Sequence, residues 1–146
     1  MSTDPKATRE QVTTAARAWI DTPFRHQGRS SFGLDCVGLV NVVCAELGLS
    51  NYDVRGYARR PSQGAEFLKH FQKGGGTPVP LSQAQPGDLL VFRDGNYPCH
   101  VGIMTEKHGV PHVVHATALN RKVCEDPLIG DLKTRWIAAF VLPGVV

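Results

Sequence analysis

The sequence of 146 residues lacks several features that mark other classes of protein. No run of 18 apolar residues occurs, so no membrane-spanning helix is expected. The segment from Met1 to Lys6 has neither the basic start nor the apolar core of a signal peptide, and we therefore expect no export by the secretory route. Lys and Arg are scattered, although the formal net charge is +3, and no basic stripe for a nucleic acid is evident.

Cysteine is also scarce, with four residues at Cys36, Cys44, Cys99 and Cys124. Neither the length nor the start of the chain suits a small secreted scaffold held by disulfides, so we expect thiols, one of them reactive. Hydrophobic residues make up 42% of the chain and charged residues 20%, which is ordinary for a globular protein. Without repeats or linkers, residues 1–146 are predicted to form a single domain.

The first half of the chain is predicted to be helical and the second half to be stranded. Amphipathic spacing predicts a helix over residues 8–21, and a nearly all-apolar run predicts a buried helix over 36–47. A short helix is also predicted over 62–73. Five later segments are typical of strands: 88–92, 100–105, 110–116, 122–125 and 136–142. Helices followed by consecutive strands indicate an α+β fold with an antiparallel sheet.

Cys36 stands where a glycine-bearing loop meets the start of the buried helix. Unpaired backbone N–H groups and the positive end of the helix dipole favour a thiolate at this position. The thiolate is the nucleophilic form of cysteine, so the placement favours a cysteine hydrolase. The alternative is that Cys36 is a small buried hydrophobe, which is the interpretation we give to Cys44. Cys99 and Cys124 are likewise interpreted as core packing.

Two histidines on predicted strands could complete such a site. His100 begins a strand, and Gly102 leaves the same strand face uncrowded. His112 and His115 lie on opposite faces of the next strand, so one of them can face His100, and we prefer His115 because it sits deeper in the apolar run. His100 would then be the base and His115 the group that orients it. The alternative is a structural role for His100.

Zinc binding is the rival chemical interpretation of the same segment. Cys99, His100, His112 and His115 place sulfur and nitrogen ligands within a short span. However, no Cys-x-x-Cys pair is present, and strand alternation distributes these side chains over both faces. We therefore expect no metal.

Four motifs in order resemble the NlpC family of cell-wall cysteine peptidases. The chain has Thr22-Pro23-Phe24-Arg25-His26 and then Gly33-Leu34-Asp35-Cys36-Val37-Gly38, similar to the family's nucleophile segment. Pro86-Gly87-Asp88-Leu89-Leu90 resembles its first core strand, His100-Val101-Gly102-Ile103 its histidine strand, and Val113-Val114-His115-Ala116 the strand of its third catalytic residue. The resemblance implies a reduced papain-like fold with the cysteine helix packed on an antiparallel sheet.

Carried over by position, the resemblance implies Cys36 as nucleophile, His100 as base and His115 as the orienting residue. It also implies that Asp35 helps to recognise substrate, and it implies no cofactor. Family members hydrolyse amide bonds in peptidoglycan stem peptides, often between D-glutamate and a diamino acid. Phe24 stands where the family often has tyrosine, and Val37 where it often has serine. Phe24 is expected to contact substrate, and Phe24 and Val37 are therefore the positions at which substrate preference is expected to differ.

A subgroup resemblance points to phage and prophage enzymes associated with the virion tail. It is carried by Ala16-Arg17-Ala18-Trp19-Ile20 with Thr22-Pro23-Phe24 and His26-Gln27, and by the ending Trp136-Ile137-Ala138-Ala139-Phe140. It implies synthesis in the bacterial cytoplasm, later location in a virion tail or cell envelope, and tail proteins as partners.

Two other function classes stay open at this point. The chain could be a catalytically silent wall-binding or tail-assembly module that retains the fold. It could also be an amidase or acyltransferase that uses the same dyad on a substrate outside the wall.

Overall fold

The computed structural model describes residues 7–49, 76–94 and 97–145, with the side chains of 94–99 left out. The helix predicted over 62–73 and the packing predicted for Cys99 lie outside the described residues. Two main helices precede the sheet: α1 spans Arg9–Arg17 and α2 spans Cys36–Glu46. The predicted helix over 8–21 thus ends earlier than expected, and the chain continues in turns to Asp21.

The start of α1 is held by the capping box that its sequence allows. The Thr8 hydroxyl accepts from the Gln11 backbone N–H at 3.1 Å, and the Gln11 side chain accepts from the Thr8 N–H at 2.9 Å. Helix α2 is buried along most of its length, as its apolar sequence predicts.

All five predicted strands are present, and together with an added edge strand they form one antiparallel sheet. The strands are β3 (Thr77–Val79), β4 (Leu89–Asp94), β5 (Tyr97–Lys107), β6 (Val110–Thr117), β7 (Lys122–Pro127) and β8 (Trp136–Val141). Their order in the sheet is β3-β8-β4-β5-β6-β7, in which β4 to β7 follow one another as a meander. The α+β prediction is therefore confirmed.

The two faces of the sheet carry cores of different size. Side chains such as Val91, Ile103 and Val114 form the larger core with α1 and α2. On the opposite face Phe92 and Val113 belong to a smaller apolar cluster. Because strand residues alternate between faces, each strand can supply apolar anchors to the helical side and polar groups to the other.

Four short elements of the described residues were not predicted from the sequence, and one of them is a single 3-10 turn over Leu81–Gln83. A two-stranded ribbon joins β1 (Arg29–Ser30) to β2 (Gly33–Leu34) just before α2, and helix α3 (Gly130–Arg135) links β7 to β8. Strand β3 is the fourth, and its pattern was obscured because Pro78 lies inside it. In the described part of the chain, no helix has the length and apolar character needed to cross a membrane.

Candidate active site

Cys36 occupies the first position of α2, where the sequence places it. The preceding residue, Asp35, has extended backbone angles, and its Oδ1 accepts from the Gly38 N–H at 2.8 Å. This is an N-cap, which fixes the direction in which the helix starts. Cys36 itself is half-buried and packs against the edge of the larger core. The thiol is thus held at the boundary between core and surface.

Asp35 is placed differently from the predicted contact with substrate. It is 3% exposed, and its two carboxylate oxygens already accept hydrogen bonds inside the chain. Besides capping α2, Oδ1 accepts from Arg29 Nη1 at 3.0 Å and Oδ2 from the Gln27 N–H at 2.7 Å. The geometry describes a structural role, in which Asp35 ties the loop before α2 to the helix. A contact with substrate stays a prediction.

His100 and His115 are joined directly, as predicted for a base and its orienting group. His100 Nε2 lies 2.8 Å from His115 Nδ1, and the ring centroids are 5.0 Å apart. His100 comes from β5 and also rests against Phe92, with centroids 5.7 Å apart. His112 points to the other side of β6, where its Nδ1 lies 2.8 Å from the Val110 carbonyl oxygen. The choice of His115 over His112 as the neighbour of His100 therefore agrees with the structure.

The chain of contacts continues to a carboxylate that the sequence did not single out. His115 Nε2 lies 2.8 Å from Asp126 Oδ2 on β7. Since β6 and β7 pair His115 with Cys124, Asp126 is one step along the same face. The nearest signal in the sequence is that Asp126 lies two residues after Cys124, on the same face of a strand. This spacing points to His115 only once the register of the β6–β7 hairpin is known.

Asp126 determines which nitrogens of the two imidazoles carry protons. Its hydrogen bonds to His115 and to the Cys124 thiol hold the pKa of Asp126 low, against the effect of burial, so it is an acceptor at neutral pH. His115 Nε2 must then donate to it, and neutral His115 accepts at Nδ1 from His100 Nε2. His100 is left with a lone pair on Nδ1, which is the form that a general base needs.

Both histidines are held neutral by their surroundings. Burial, together with the nearby His115 and Arg135, lowers the pKa of His100 to about 3. Burial is also the main reason that the pKa of His115 is lowered, although its bond to Asp126 acts in the opposite direction. A neutral imidazole can accept a proton from a thiol.

Gly102 makes room for His115 beside β5. A Cβ at this position would lie 2.5 Å from Val113 Cγ2, 2.9 Å from the Val114 carbonyl oxygen and 3.0 Å from His115 Cβ. The sequence predicted an uncrowded strand face that a substrate or helix could approach. In the structure, the space is taken by the side chains of β6 instead, and this brings His115 to His100.

Cys36, His100 and His115 open into one cleft of about 620 Å³. Phe24, predicted to contact substrate, lies on its wall. Arg135 is the one lysine or arginine among the described residues of this cleft, and its Nε donates to Asp131 Oδ2 at 2.9 Å. The lining residues are Phe24, Cys36, His100, His115, Ala116, Thr117, Ala118, Leu119, Asn120, Asp126, Pro127, Asp131, Leu132 and Arg135.

The two other described cysteines lie in different surroundings, one in the core and one beside Asp126. Cys44 is buried in the larger core, and burial raises its pKa to about 12, which leaves it an inert thiol. Cys124, predicted to be core packing, is half-buried instead, and its thiol donates to Asp126 Oδ2 at 3.3 Å. Its role as a core residue is therefore corrected.

Comparison with known proteins finds relatives of this chain by sequence and by fold. The sequence model described as the NlpC/P60 family matches residues 21–139. The fold is similar to the NlpC/p60 domain of the peptidoglycan hydrolase SagA, with a TM-score of 0.65, 22% identity, and 93% of this chain and 100% of that one covered. No curated protein sequence matches the chain.

Two further solved structures share the fold. An NlpC/P60 family protein from Bacillus cereus has a TM-score of 0.69 at 19% identity, covering 92% of this chain and 40% of that one. An N-acetylmuramoyl-L-alanine amidase from Bacteroides uniformis has a TM-score of 0.62 at 15% identity, covering 92% of this chain and 98% of that one. At such identities the likeness establishes a common architecture.

Proposed function

Because the chain belongs to the NlpC/P60 family, we propose that it is a cysteine peptidase that cleaves amide bonds in peptidoglycan stem peptides. The observation that carries the proposal is the cleft in which Cys36, His100 and His115 meet. A helix-start thiol beside a neutral imidazole with an oriented tautomer is the arrangement that acyl transfer requires.

In the proposed mechanism His100 Nδ1 takes the proton of the Cys36 thiol. The thiolate attacks the carbonyl carbon of the scissile amide, and the backbone N–H of Cys36 at the start of α2 donates to the developing oxyanion. His100 then passes its proton to the leaving amine, and a thioester joins Cys36 to the acyl fragment. Water, deprotonated by His100, hydrolyses the thioester and regenerates the thiol.

We further propose that the scissile bond joins D-glutamate to a diamino acid. The D-glutamate at such a bond carries a free carboxylate, and Arg135 supplies a cation on the cleft wall. Asp131 pairs with Arg135 and only partly offsets the guanidinium charge that a substrate carboxylate would meet. Phe24 offers an apolar surface on the other part of the wall.

The test is digestion of purified peptidoglycan followed by mass analysis of the released fragments. Fragments cut between D-glutamate and the diamino acid are expected from the wild-type chain and not from Cys36→Ala. Release of intact stem peptides from the glycan would instead identify an amidase. No release from any wall type, with the fold intact, would favour a catalytically silent module.

A parallel digestion tests the proposed role of Arg135. Two walls are compared, one with the D-glutamate carboxylate free and one with it amidated. The free carboxylate is expected to be cleaved faster, because only the anion gains from the guanidinium. Equal rates on both walls would contradict this part of the proposal.

Association with a phage tail is proposed on sequence resemblance alone. The segments that carry it include residues 16–20, which begin in α1, and residues 136–140, which lie in β8. Detection of the protein in purified virions by antibody is the expected result. Its presence only in uninfected cell envelopes would contradict the tail assignment and leave the hydrolase proposal untouched.

A further inference from the structure

Three donor atoms of different chemistry meet at the outer end of the histidine chain. They are the Nε2 of His115, the Sγ of Cys124 and a carboxylate oxygen of Asp126, all within 4.8 Å of one another. The β6–β7 ladder sets His115 opposite Cys124, and Asp126 follows two residues later on the same face. Two neighbouring strands of the sheet therefore hold the set in place.

These donors are the ones that Zn²⁺ prefers in proteins. Imidazole nitrogen, thiolate sulfur and carboxylate oxygen are all common zinc ligands, and three protein ligands leave one position for water. The thiolate and the carboxylate together would balance the charge of a divalent cation. Nearby Arg135 opposes a cation, but its own charge is paired with Asp131. The Asp126 side chain is 40% exposed, so the cluster is reachable from solvent.

We propose that His115, Cys124 and Asp126 form a binding site for Zn²⁺, and that the bound ion switches hydrolysis off. The binding stands on the cluster alone. The inhibitory consequence rests on the proposed function, because it acts through the base.

Inhibition follows from the tautomers that the ion would impose. Without metal, His115 Nε2 donates to Asp126, and the chain leaves His100 Nδ1 unprotonated. A zinc ion on His115 Nε2 places the imidazole proton on Nδ1, which then donates to His100 Nε2. Neutral His100 must in turn carry its proton on Nδ1. The atom that should accept the thiol proton has become a donor, so the ion acts on the base without touching Cys36.

The binding is tested on the full chain carrying Cys36→Ala, so that the nucleophile cannot contribute a ligand. Cd²⁺ serves as the probe because its bond to a thiolate gives an ultraviolet charge-transfer band. One equivalent is expected to produce the band, and Zn²⁺ is expected to displace it. The control is the same chain with Cys124→Ala added, which should lose the band. Absence of the band, or its persistence in the control, would overturn the site.

The inhibition is tested by wall digestion in the presence of Zn²⁺ or of a chelator. The Cys124→Ala chain is expected to digest the wall with the chelator present, since the bond between His115 and Asp126 does not need the thiol. It should need at least about tenfold more Zn²⁺ for half inhibition than wild type. Equal sensitivity would mean that the ion acts at Cys36 and His100, and would overturn the switch. If neither chain digests any wall, the proposed function fails while the Cd²⁺ result still decides the site.

Discussion

Two adjacent carboxylates on β7 serve opposite faces of the sheet. Glu125 lies on the side of the helices, where Oε2 accepts from Arg17 Nε at 3.0 Å and from Thr105 Oγ1 at 2.6 Å. Lys107 Nζ is a further 3.7 Å from Oε1. These partners tie α1 to the centre of the sheet. Asp126, the next residue, faces the cleft and bonds to an imidazole instead.

The difference between the two lies in what their partners can do. Arg17 and Lys107 have only N–H donors and no acceptor atom, so the bonds of Glu125 can only hold parts of the chain together. His115 can carry its proton on either nitrogen, so its bond to Asp126 selects one tautomer of His115. That tautomer in turn determines the tautomer of His100. A carboxylate next to a fixed cation stabilises structure, and one next to an imidazole can direct chemistry. We expect variants to separate these two roles.

The largest effect is expected at Cys36, the residue on which the series of contacts from Asp126 through His115 and His100 is proposed to act. Cys36→Ala removes the nucleophile and should lower wall hydrolysis by at least about 10³-fold. Its melting temperature should stay near that of wild type, because Cys36 is half-buried at the edge of the core. Measurable turnover at the wild-type rate would show that another group attacks the substrate.

Asp126→Ala tests the chemical half of the comparison. Without the carboxylate nothing fixes His115 Nε2 as a donor, and kcat should fall about 10–100-fold with KM little changed. The melting temperature should change little, since the side chain is partly exposed. Asp126→Glu keeps an acceptor and should recover part of the rate. A fall in stability with normal kcat would show that Asp126, like Glu125, has a structural role only.

Gly102→Ala tests whether the position of His115 matters as well as its presence. The added Cβ would meet Val113 and His115, so the chain should lose about 1–3 kcal/mol of stability and also lose activity. Gly109→Ala is the control: its φ is +78° and its surroundings are open, so it is strained without crowding the histidines. It should be destabilised with normal activity. Normal activity in both would show that His115 tolerates displacement.

Glu125→Ala tests the structural half. It leaves the buried Thr105 hydroxyl and the Nε of Arg17 without their acceptor, which should cost about 1–3 kcal/mol in the free energy of unfolding. Denaturant unfolding measures the loss, and hydrolysis below the melting transition should be unchanged. A selective loss of kcat would mean that this residue also influences the base.

The last expected effect is a pH dependence of stability, measured with a chelator present. His100 resists protonation in the folded chain but accepts it near pH 6.5 when unfolded, so stability should fall as pH drops from 6.5 toward 3. The carboxylate of Glu125, with a pKa below its usual 4.5, contributes only below that value. Between pH 6.5 and 4.5 the slope should therefore belong to the imidazoles. His100→Gln should flatten it there, and an unchanged slope would contradict this assignment.

The sequence predicted the site as far as local patterns reach. Cys36 follows from a helix start. Strand alternation allows one of His112 and His115 to face His100, and the position of His115 deeper in the apolar run favours it. Asp126 was missed because its place beside His115 depends on the register of the β6–β7 hairpin, which composition does not encode. Cys124 was assigned to the core for the same reason. The structural use of Asp35 depends on the loop before α2, which alternation does not describe.

The fold shows the same limit. The helices and five strands have clear periodicity, and their existence was predicted with shifted ends. The short elements β3 and α3 have little periodicity of their own. Helix α3 forms where β7 must return to β8, and its Arg135 reaches the cleft. The formation of β3 and α3 therefore depends on contacts that exist only in the folded chain.

The origin of the cleft wall bears on how the protein could evolve. His100, His115 and Asp126 sit on consecutive strands of one meander. Much of the surface that a substrate would meet comes instead from connections, namely residues 118–120 and helix α3. Connections tolerate substitution and changes of length far better than strands do. Descendants of this chain could thus acquire new substrates by altering the connections while inheriting the proton-directing strands unchanged.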